Sequence, residues 1–133
     1  MAAESPLNGP GRAALDWPFF GPEHRAYVAD LDAFIASGAL AAIDHAETDR
    51  ACRSLVGALG QAGLLAAAVA EPAGDAATIS SLKLCLARET LAWHDGLADF
   101  AFAMQGLGSG AIGLAGTPLM RRTVLPRTRS GEG

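Results

Sequence analysis

The sequence predicts an all-α fold, a bundle of about four to six helices. Half of its 133 residues are hydrophobic but only 6% are aromatic, and the apolar share is dominated by Ala and Leu, which favour helices. Apolar residues recur at the spacing of a helix face in several segments, whereas no run of alternating β-branched residues supports a sheet. A chain of this length is expected to form one domain around one core.

The first residues of the chain include several that break helices: Pro6, Gly9, Pro10 and Gly11. We therefore expect a loose tail over residues 1–14 and a helical domain over residues 15–133. The tail lacks the basic flank and apolar run of a signal peptide, and the cysteines form no C-x-x-C motif. These features predict a cytoplasmic protein in which Cys52 and Cys85 are reduced and mostly buried.

Two amphipathic helices follow the tail. The first begins at Pro22, a residue suited to the first helical turn, and its inward face carries Tyr27, Leu31, Phe34 and Ile35. The second is predicted to be capped by Thr48 or Asp49 and ended by Gly60 and Gly63. Its inward face carries Cys52, Leu55, Val56 and Leu59.

A loop around Pro72 and Gly74 separates these helices from a third helix, which opens around Thr78. Lys83 and Arg88 of this helix are expected to face solvent. Its inward face carries Ile79, Leu82, Leu86 and Thr90.

A break at His94–Gly96 ends the third helix, and Asp95 can cap a fourth one. One side of the fourth helix carries Leu97, Phe100, Met104 and Leu107. Beyond Leu107 the glycines are expected to loosen the backbone. Thr117–Pro118 then starts a short last helix through Val124, which ends within "LPRTRSGEG".

The uncharged stretch "FAFAMQGLGSGAIGLAGTPLM", Phe100 to Met120, matches three known patterns. Its length suits a membrane span, but its glycines and proline give low helix propensity and little apolar area. We therefore expect no membrane span. The G-x-x-x-G motif indicates the pairing of membrane helices, so it predicts nothing here. The G-x-G-x-x-G over Gly108–Gly113 lacks the β-α-β context of a dinucleotide site. We interpret the glycines as positions where helices turn or approach closely.

No single residue of the chain carries a recognisable reaction. Asp95 and Asp99 are spaced for an acid–base pair, but acids in a first helical turn usually offset the helix dipole. His94 lies beside Asp95 without an activated nucleophile, and His24 and His45 have no partner at metal-ligand spacing. The formal charge of −4 argues against nucleic-acid binding. Four arginines near the C-terminus are expected to face water or, alternatively, to contact a phosphate or an acidic neighbour: Arg121, Arg122, Arg127 and Arg129.

Taken together, "LARETLAWHDGLADFAFAMQGLGSGAIGLAGTPLMRRTVLPRTRSGEG" resembles the end of the N-terminal helical domain of flavin-dependent acyl-CoA dehydrogenases. The family's motifs occur in order: E-x-L-A at Glu89–Ala92, an apolar helix, G-T at Gly116–Thr117, L-P at Leu125–Pro126 and G-E at Gly131–Glu132. Upstream, "FFGPEHRAYVADLDAFI" and "LVGALGQAGLL" are similar to the family's first two helices. "GLADFAFAMQGLG" is similar to a subgroup that acts on cyclic or otherwise unusual acyl-CoA thioesters.

The resemblance implies a role in fatty acid metabolism. The complete enzyme would transfer a hydride from the β-carbon of an acyl-CoA to FAD while a glutamate base removes the α-proton. In this family a β-domain and a C-terminal helical domain, which carry the flavin contacts and the base, follow the G-E motif. No catalytic or cofactor-binding residue is carried over, since neither Glu89 nor Glu132 corresponds to that base. The chain alone is therefore expected to be inactive and to bind FAD weakly or not at all.

Only the wall of the acyl pocket can be carried over residue by residue. Counted from Glu89, the family's pocket-lining helix falls on Leu97–Leu107, and the candidate wall residues are Asp99, Phe100, Ala103, Met104 and Leu107. Asp99 would need a partner or a raised pKa in an apolar pocket. The alternative function is a non-enzymatic helical module that self-associates or docks on a partner supplying the other domains, because helix faces covered in the complete enzyme would be exposed.

Overall fold

The computed structural model describes residues 10–73 and 79–132, and these residues form helices and loops with no strand. Two short 3₁₀ helices, Arg12–Asp16 and Leu64–Ala67, accompany the α-helices. The prediction of an all-α bundle is confirmed. In chain order the α-helices of the described ranges are α1 (Pro22–Ala36), α2 (Thr48–Gln61), α3 (Ser81–His94), α4 (Gly96–Ala115) and α5 (Pro118–Ser130).

Helix α4 lies at the centre of the bundle. It packs against α2, α3 and α5, while α1 packs against α3. Each helix contributes a fully buried apolar side chain to one core, and burying each of these side chains stabilises the fold by about 1.5–3 kcal/mol. These side chains include Leu31, Leu55, Leu91, Phe102 and Leu125.

Helices α1 and α2 lie where the sequence predicts, with one difference at a helix start. Pro22 is the first residue of α1, as predicted. The N-cap of α2, however, is Glu47, and no side chain caps this helix, so the prediction of Thr48 or Asp49 as N-cap is wrong. The reason is that the Ala51 N–H already bonds to the Glu47 carbonyl, which makes Thr48 the first helical residue.

Helix α3 is capped by Ser80, whose hydroxyl accepts from the Lys83 N–H. The predicted opening at Thr78 lies outside the described residues. Leu86 and Thr90 are buried, as expected from their spacing. Lys83, expected in solvent, is half-buried instead, because its ammonium lies 5.7 Å from the centre of the Tyr27 ring.

Helix α4 is longer than the sequence predicts. Asp95 caps it as predicted and accepts from the N–H groups of Leu97 and Ala98. The expected loosening after Leu107 is wrong, since the helix continues unbroken to Ala115. Its later turns stay helical because they pack within the bundle, where residues such as Ser109 are buried and tertiary contacts outweigh low propensity.

Helix α5 begins where the sequence predicts. Thr117 caps it, as predicted, by accepting from the Met120 N–H. The helix was expected to be short and to end within "LPRTRSGEG"; it continues through Pro126 and ends in that segment at Ser130. Leu125 is fully buried, so packing holds the chain helical at a residue where a following proline disfavours it.

The remaining predictions concern the tail and the cysteines. Of the predicted tail, residues 1–9 lie outside the described part, while Arg12 belongs to the first 3₁₀ helix and bonds to Asp32 and Thr90. The cysteines are unpaired, but Cys52 is half-buried and Cys85 is exposed, so the prediction of mostly buried thiols is wrong for Cys85. In residues 10–73 and 79–132, no helix is both long and apolar enough to cross a membrane.

Candidate functional site

A mostly apolar groove of about 660 Å³ runs between α3 and α4. It is open because α4 presents small residues there. A Cβ at Gly106 would lie 3.0 Å from the Ala68 carbonyl oxygen, so the absence of a side chain lets α4 approach the backbone at Ala68. The groove is lined by Ala68, Ile79, Ser81, Leu84, Cys85, Arg88, Ala103, Gly106 and Leu107.

Among the described residues, one charged side chain lines this groove, and it is paired. Arg88 donates from Nε to Asp99 Oδ1 at 2.8 Å and from Nη2 to Asp99 Oδ2 at 2.9 Å, which joins α3 to α4. The hydrogen bonds to Asp99 and its negative charge raise the pKa of Arg88. Asp99 thus has the partner that a carboxylate at an apolar surface needs, and the groove carries no unpaired charge from this pair.

A second groove, of about 450 Å³, lies on the other side of α4. Phe100 and Met104 line it, together with Cys52 and Val56 of α2 and residues near Glu132 at the end of the described chain. It is more polar than the α3–α4 groove, since Arg53 and Glu132 also contribute.

The structure therefore divides the five predicted wall residues among three positions. Ala103 and Leu107 line the α3–α4 groove, and Phe100 and Met104 line the second groove. Asp99 lies beside Arg88 at the α3–α4 side. The helical repeat explains the division, because residues four apart share a face whereas adjacent residues do not.

Between and beyond the grooves, α4 and α5 expose large apolar side chains. We call this surface the α4–α5 ridge and define it by Phe100, Leu107, Leu114, Leu119 and Met120. Leu107 is 73% exposed and Leu114 is 82% exposed. Large exposed apolar side chains mark a contact surface where they form a continuous patch.

The two aspartates considered as an acid–base pair have separate partners. Asp95 caps α4 and also contacts His45, whose Nε2 lies 2.8 Å from Asp95 Oδ2. Asp99 is paired with Arg88. His94, the neighbour of Asp95 in sequence, is exposed, so the imidazole that meets Asp95 comes from a residue 50 positions earlier. No sequence pattern could have identified this contact, because it depends on how the helices pack.

Two of the C-terminal arginines contact the segment that ends at Glu71. Arg129 donates from Nη1 to the Val69 carbonyl oxygen at 2.6 Å and from Nη2 to Glu71 Oε1 at 3.3 Å. Arg121 donates to the Glu71 carbonyl oxygen at 3.5 Å. By contrast, Arg122 and Arg127 are exposed, as expected for the group. The arginines therefore include both structural and solvent-facing members.

Comparison with known proteins identifies the family. The family model described as "Acyl-CoA dehydrogenase, N-terminal domain" matches residues 21–132. Comparison with the curated proteins finds no match. The matched range runs from the residue before α1 to the end of the described chain and includes both grooves. The five-helix fold and this match together show that the chain belongs to the acyl-CoA dehydrogenase N-terminal domain family.

Proposed function

We propose that residues 21–132 serve as the N-terminal helical domain of an FAD-dependent acyl-CoA dehydrogenase, with the α3–α4 groove as part of the wall that holds the acyl chain. The observation that carries the proposal is an apolar groove on helices matched to this family. The complete enzyme would carry out the α,β-dehydrogenation of an acyl-CoA thioester in the cytoplasm.

The groove suits an alkyl chain better than a polar ligand. Each methylene of an acyl chain that leaves water for an apolar surface gains about 0.8 kcal/mol. Ala103 and Gly106 keep the space between the helices open, while Leu84 and Leu107 supply apolar contacts. Because Arg88 is paired with Asp99, its guanidinium does not present an unpaired charge to the bound acyl chain.

The lining of the α3–α4 groove is poorly suited to a flavin. Among the described residues, its polar members are Ser81, Cys85 and Arg88, and the Arg88 guanidinium is already bonded to Asp99. This lining offers no set of N–H donors for a diphosphate. We therefore propose that the flavin contacts and the base come from other parts of the enzyme, and that this chain alone is inactive.

The cofactor part of the proposal can be tested on the purified chain of 133 residues. We expect a colourless protein that shows no turnover of acyl-CoA with an artificial electron acceptor. Flavin absorbance at one equivalent per chain, or measurable turnover, would contradict this part of the proposal.

The wall is tested by titrating the chain with a medium-chain acyl-CoA and following backbone amide shifts by NMR. We expect weak binding that shifts the amides of Ala103, Gly106 and Leu107. Ala103→Trp should abolish the shifts because the indole fills the groove. Ala111→Trp, on an exposed position of the same helix, is the matched control and should leave them unchanged. Absence of shifts at millimolar ligand would count against the wall assignment.

A second candidate function is self-association or docking on a partner that supplies other domains. The exposed α4–α5 ridge favours it, since burying such side chains against another surface releases water from apolar area. Size-exclusion chromatography with light scattering measures whether the chain self-associates. A Leu114→Glu variant should weaken a self-associated species, and a wild-type chain that stays monomeric at high concentration would count against self-association.

A further inference from the structure

His45 connects two distant parts of the bundle. It lies in the connection between α1 and α2, residues 37–47, and its ring contacts the junction of α3 and α4. Its Nε2 lies 2.8 Å from Asp95 Oδ2, and its Nδ1 lies 3.0 Å from the Ile43 carbonyl oxygen. Asp95 uses its other oxygen to accept from the first N–H groups of α4. One carboxylate therefore holds both a helix start and an imidazole from elsewhere in the chain.

Both ring nitrogens of His45 face groups that can only accept hydrogen bonds. A backbone carbonyl is an acceptor, and so is the ionised Asp95 carboxylate. A neutral imidazole has one N–H, so either tautomer would place a nitrogen lone pair against an oxygen lone pair at one of the two contacts. Only the imidazolium donates to Asp95 and to the Ile43 carbonyl at the same time.

We propose that this contact is a proton-dependent clamp: the imidazolium of His45 fastens residues 42–45 to the α3–α4 junction, and loss of its proton loosens this part of the connection while Leu40 stays in the core. The inference does not depend on the enzymatic role proposed above. We expect the change to affect the surroundings of His45. There the connection contributes Leu40 and Ile43 to a hollow of about 390 Å³ that His45, His94 and Asp95 also line.

The charges around His45 favour the clamp on balance. Asp95 at the start of α4 and Asp44 on the connection itself both stabilise a positive ring. The C-terminal end of α3 favours a cation, whereas the N-terminal end of α4 and any charge on His94 oppose one. Asp95, which caps α4, lies between that helix end and the ring. The nearest groups are thus the carboxylates.

The sign of the pH dependence follows from these contacts. The hydrogen bond to Asp95, then the bond to the Ile43 carbonyl and the charges of Asp95 and Asp44, raise the pKa of His45 above its ordinary value of 6.5. The stabilisation is therefore fully present below about pH 6.5 and is lost as the pH rises through the higher folded-state pKa. Because the imidazole side chain is 46% exposed, solvent moderates the effect.

An Asp95→Asn substitution tests the clamp without removing the helix cap. Asparagine is as good an N-cap as aspartate, so Oδ1 can still accept from Leu97 and Ala98. Its Nδ2–H can donate to Nε2 of a neutral His45, whose Nδ1–H then bonds to Ile43. The variant thus satisfies both ring nitrogens without the extra proton. His94→Gln is the matched control, since it changes an imidazole at the same junction that makes neither contact.

The experiment follows the ring nitrogens of His45 by ¹⁵N NMR from acid to alkaline pH, together with hydrogen-exchange protection of the Ala42 and Ile43 amides. In the wild type and in His94→Gln we expect a His45 midpoint above that of the urea-unfolded chain, with protection lost through the same midpoint. In Asp95→Asn the midpoint should fall below that of the wild type, and protection should persist at high pH. The proposal would be overturned if the His45 midpoint in the wild type equalled that of the unfolded chain. It would also be overturned if hydrogen-exchange protection did not change across the His45 titration.

Discussion

At the scale of single residues, Thr90 shows what a sequence pattern can and cannot supply. Its spacing predicts a place on the inward face of α3, and it is fully buried. The structure adds that its hydroxyl donates to the Leu86 carbonyl at 2.7 Å and accepts from Arg12 Nη2 at 2.9 Å. The same nitrogen lies 2.6 Å from Asp32 Oδ1. The Arg12 guanidinium therefore links the first 3₁₀ helix to α1 through Asp32 and to α3 through the buried Thr90 hydroxyl.

Substitution of Thr90 by Val should destabilise the fold by about 1–2 kcal/mol, because it keeps the shape but removes a hydrogen bond to a charged donor. We would measure the free energy of unfolding in urea for Thr90→Val, Arg12→Met and the double variant. If the hydrogen bond between these side chains contributes to stability, Thr90→Val should lower the free energy of unfolding clearly less in the Arg12→Met background than in the wild type. An equal cost in both backgrounds would show that the effect comes from elsewhere in the core.

Residue-scale predictions succeed where the cause is local. The caps at Asp95 and Thr117 follow from side chains that bond to N–H groups two or three residues later, and both are confirmed. The partners of Asp99 and His45 lie 11 and 50 residues away, and only the packing of helices brings them together. Sequence reasoning could state that Asp99 needs a partner, but it could not name Arg88.

At the scale of helices, α4 and α5 both continue through residues that disfavour a helix. Glycines disfavour the second half of α4 by about 1 kcal/mol each, and Pro126 removes a donor from α5. Both helices nevertheless continue, because α4 packs against three neighbours and Leu125 of α5 is buried. Local propensity alone therefore predicts the length of a helix poorly, since packing decides how far each one continues.

Glycine roles within α2 differ and can be separated by experiment. A Cβ at Gly57 would meet no heavy atom within 4 Å, whereas a Cβ at Gly60 would overlap the backbone of Ser130 and Gly131. Gly57→Ala should therefore stabilise the protein by about 0.5–1 kcal/mol through helix propensity. Gly60→Ala should destabilise it by about 1–3 kcal/mol, because α5 must move away from α2.

Urea unfolding followed by circular dichroism measures both changes. The pair is its own control, since the two substitutions add the same methyl group to the same helix. Equal stabilisation by both would mean that the end of α5 does not cross α2 at Gly60.

At the scale of the whole molecule, the candidate site depends on the arrangement of the bundle. The family resemblance is confirmed over residues 21–132, whereas the assignment of the acyl wall to α4 stays a prediction. That assignment treated five residues of α4 as one wall, yet α4 has neighbours on both sides and those residues serve two grooves. The close approach of Gly106 to the backbone of Ala68, both of which line the α3–α4 groove, is a contact that no local pattern reveals.

At this scale, Arg129 joins the last helix to the middle of the chain. Arg129 Nη1 lies 2.6 Å from the Val69 carbonyl oxygen, while Nη2 lies 3.3 Å from the carboxylate of Glu71. The Arg129 side chain is 23% exposed and that of Glu71 is 70% exposed. The bond to the carbonyl should therefore dominate, because an ion pair with an exposed carboxylate contributes about 0–1 kcal/mol at most.

Arg129→Met keeps much of the apolar stem but removes the donors, so we expect a loss of about 1.5–3 kcal/mol in the free energy of unfolding. Glu71→Gln removes only the charge of the exposed partner and should change stability by less than about 0.5 kcal/mol. Added salt should leave the Arg129→Met effect nearly unchanged, since the bond to a neutral carbonyl is screened less than an exposed ion pair. If Glu71→Gln cost as much as Arg129→Met, the ion pair rather than the carbonyl bond would hold α5 to the segment that ends at Glu71.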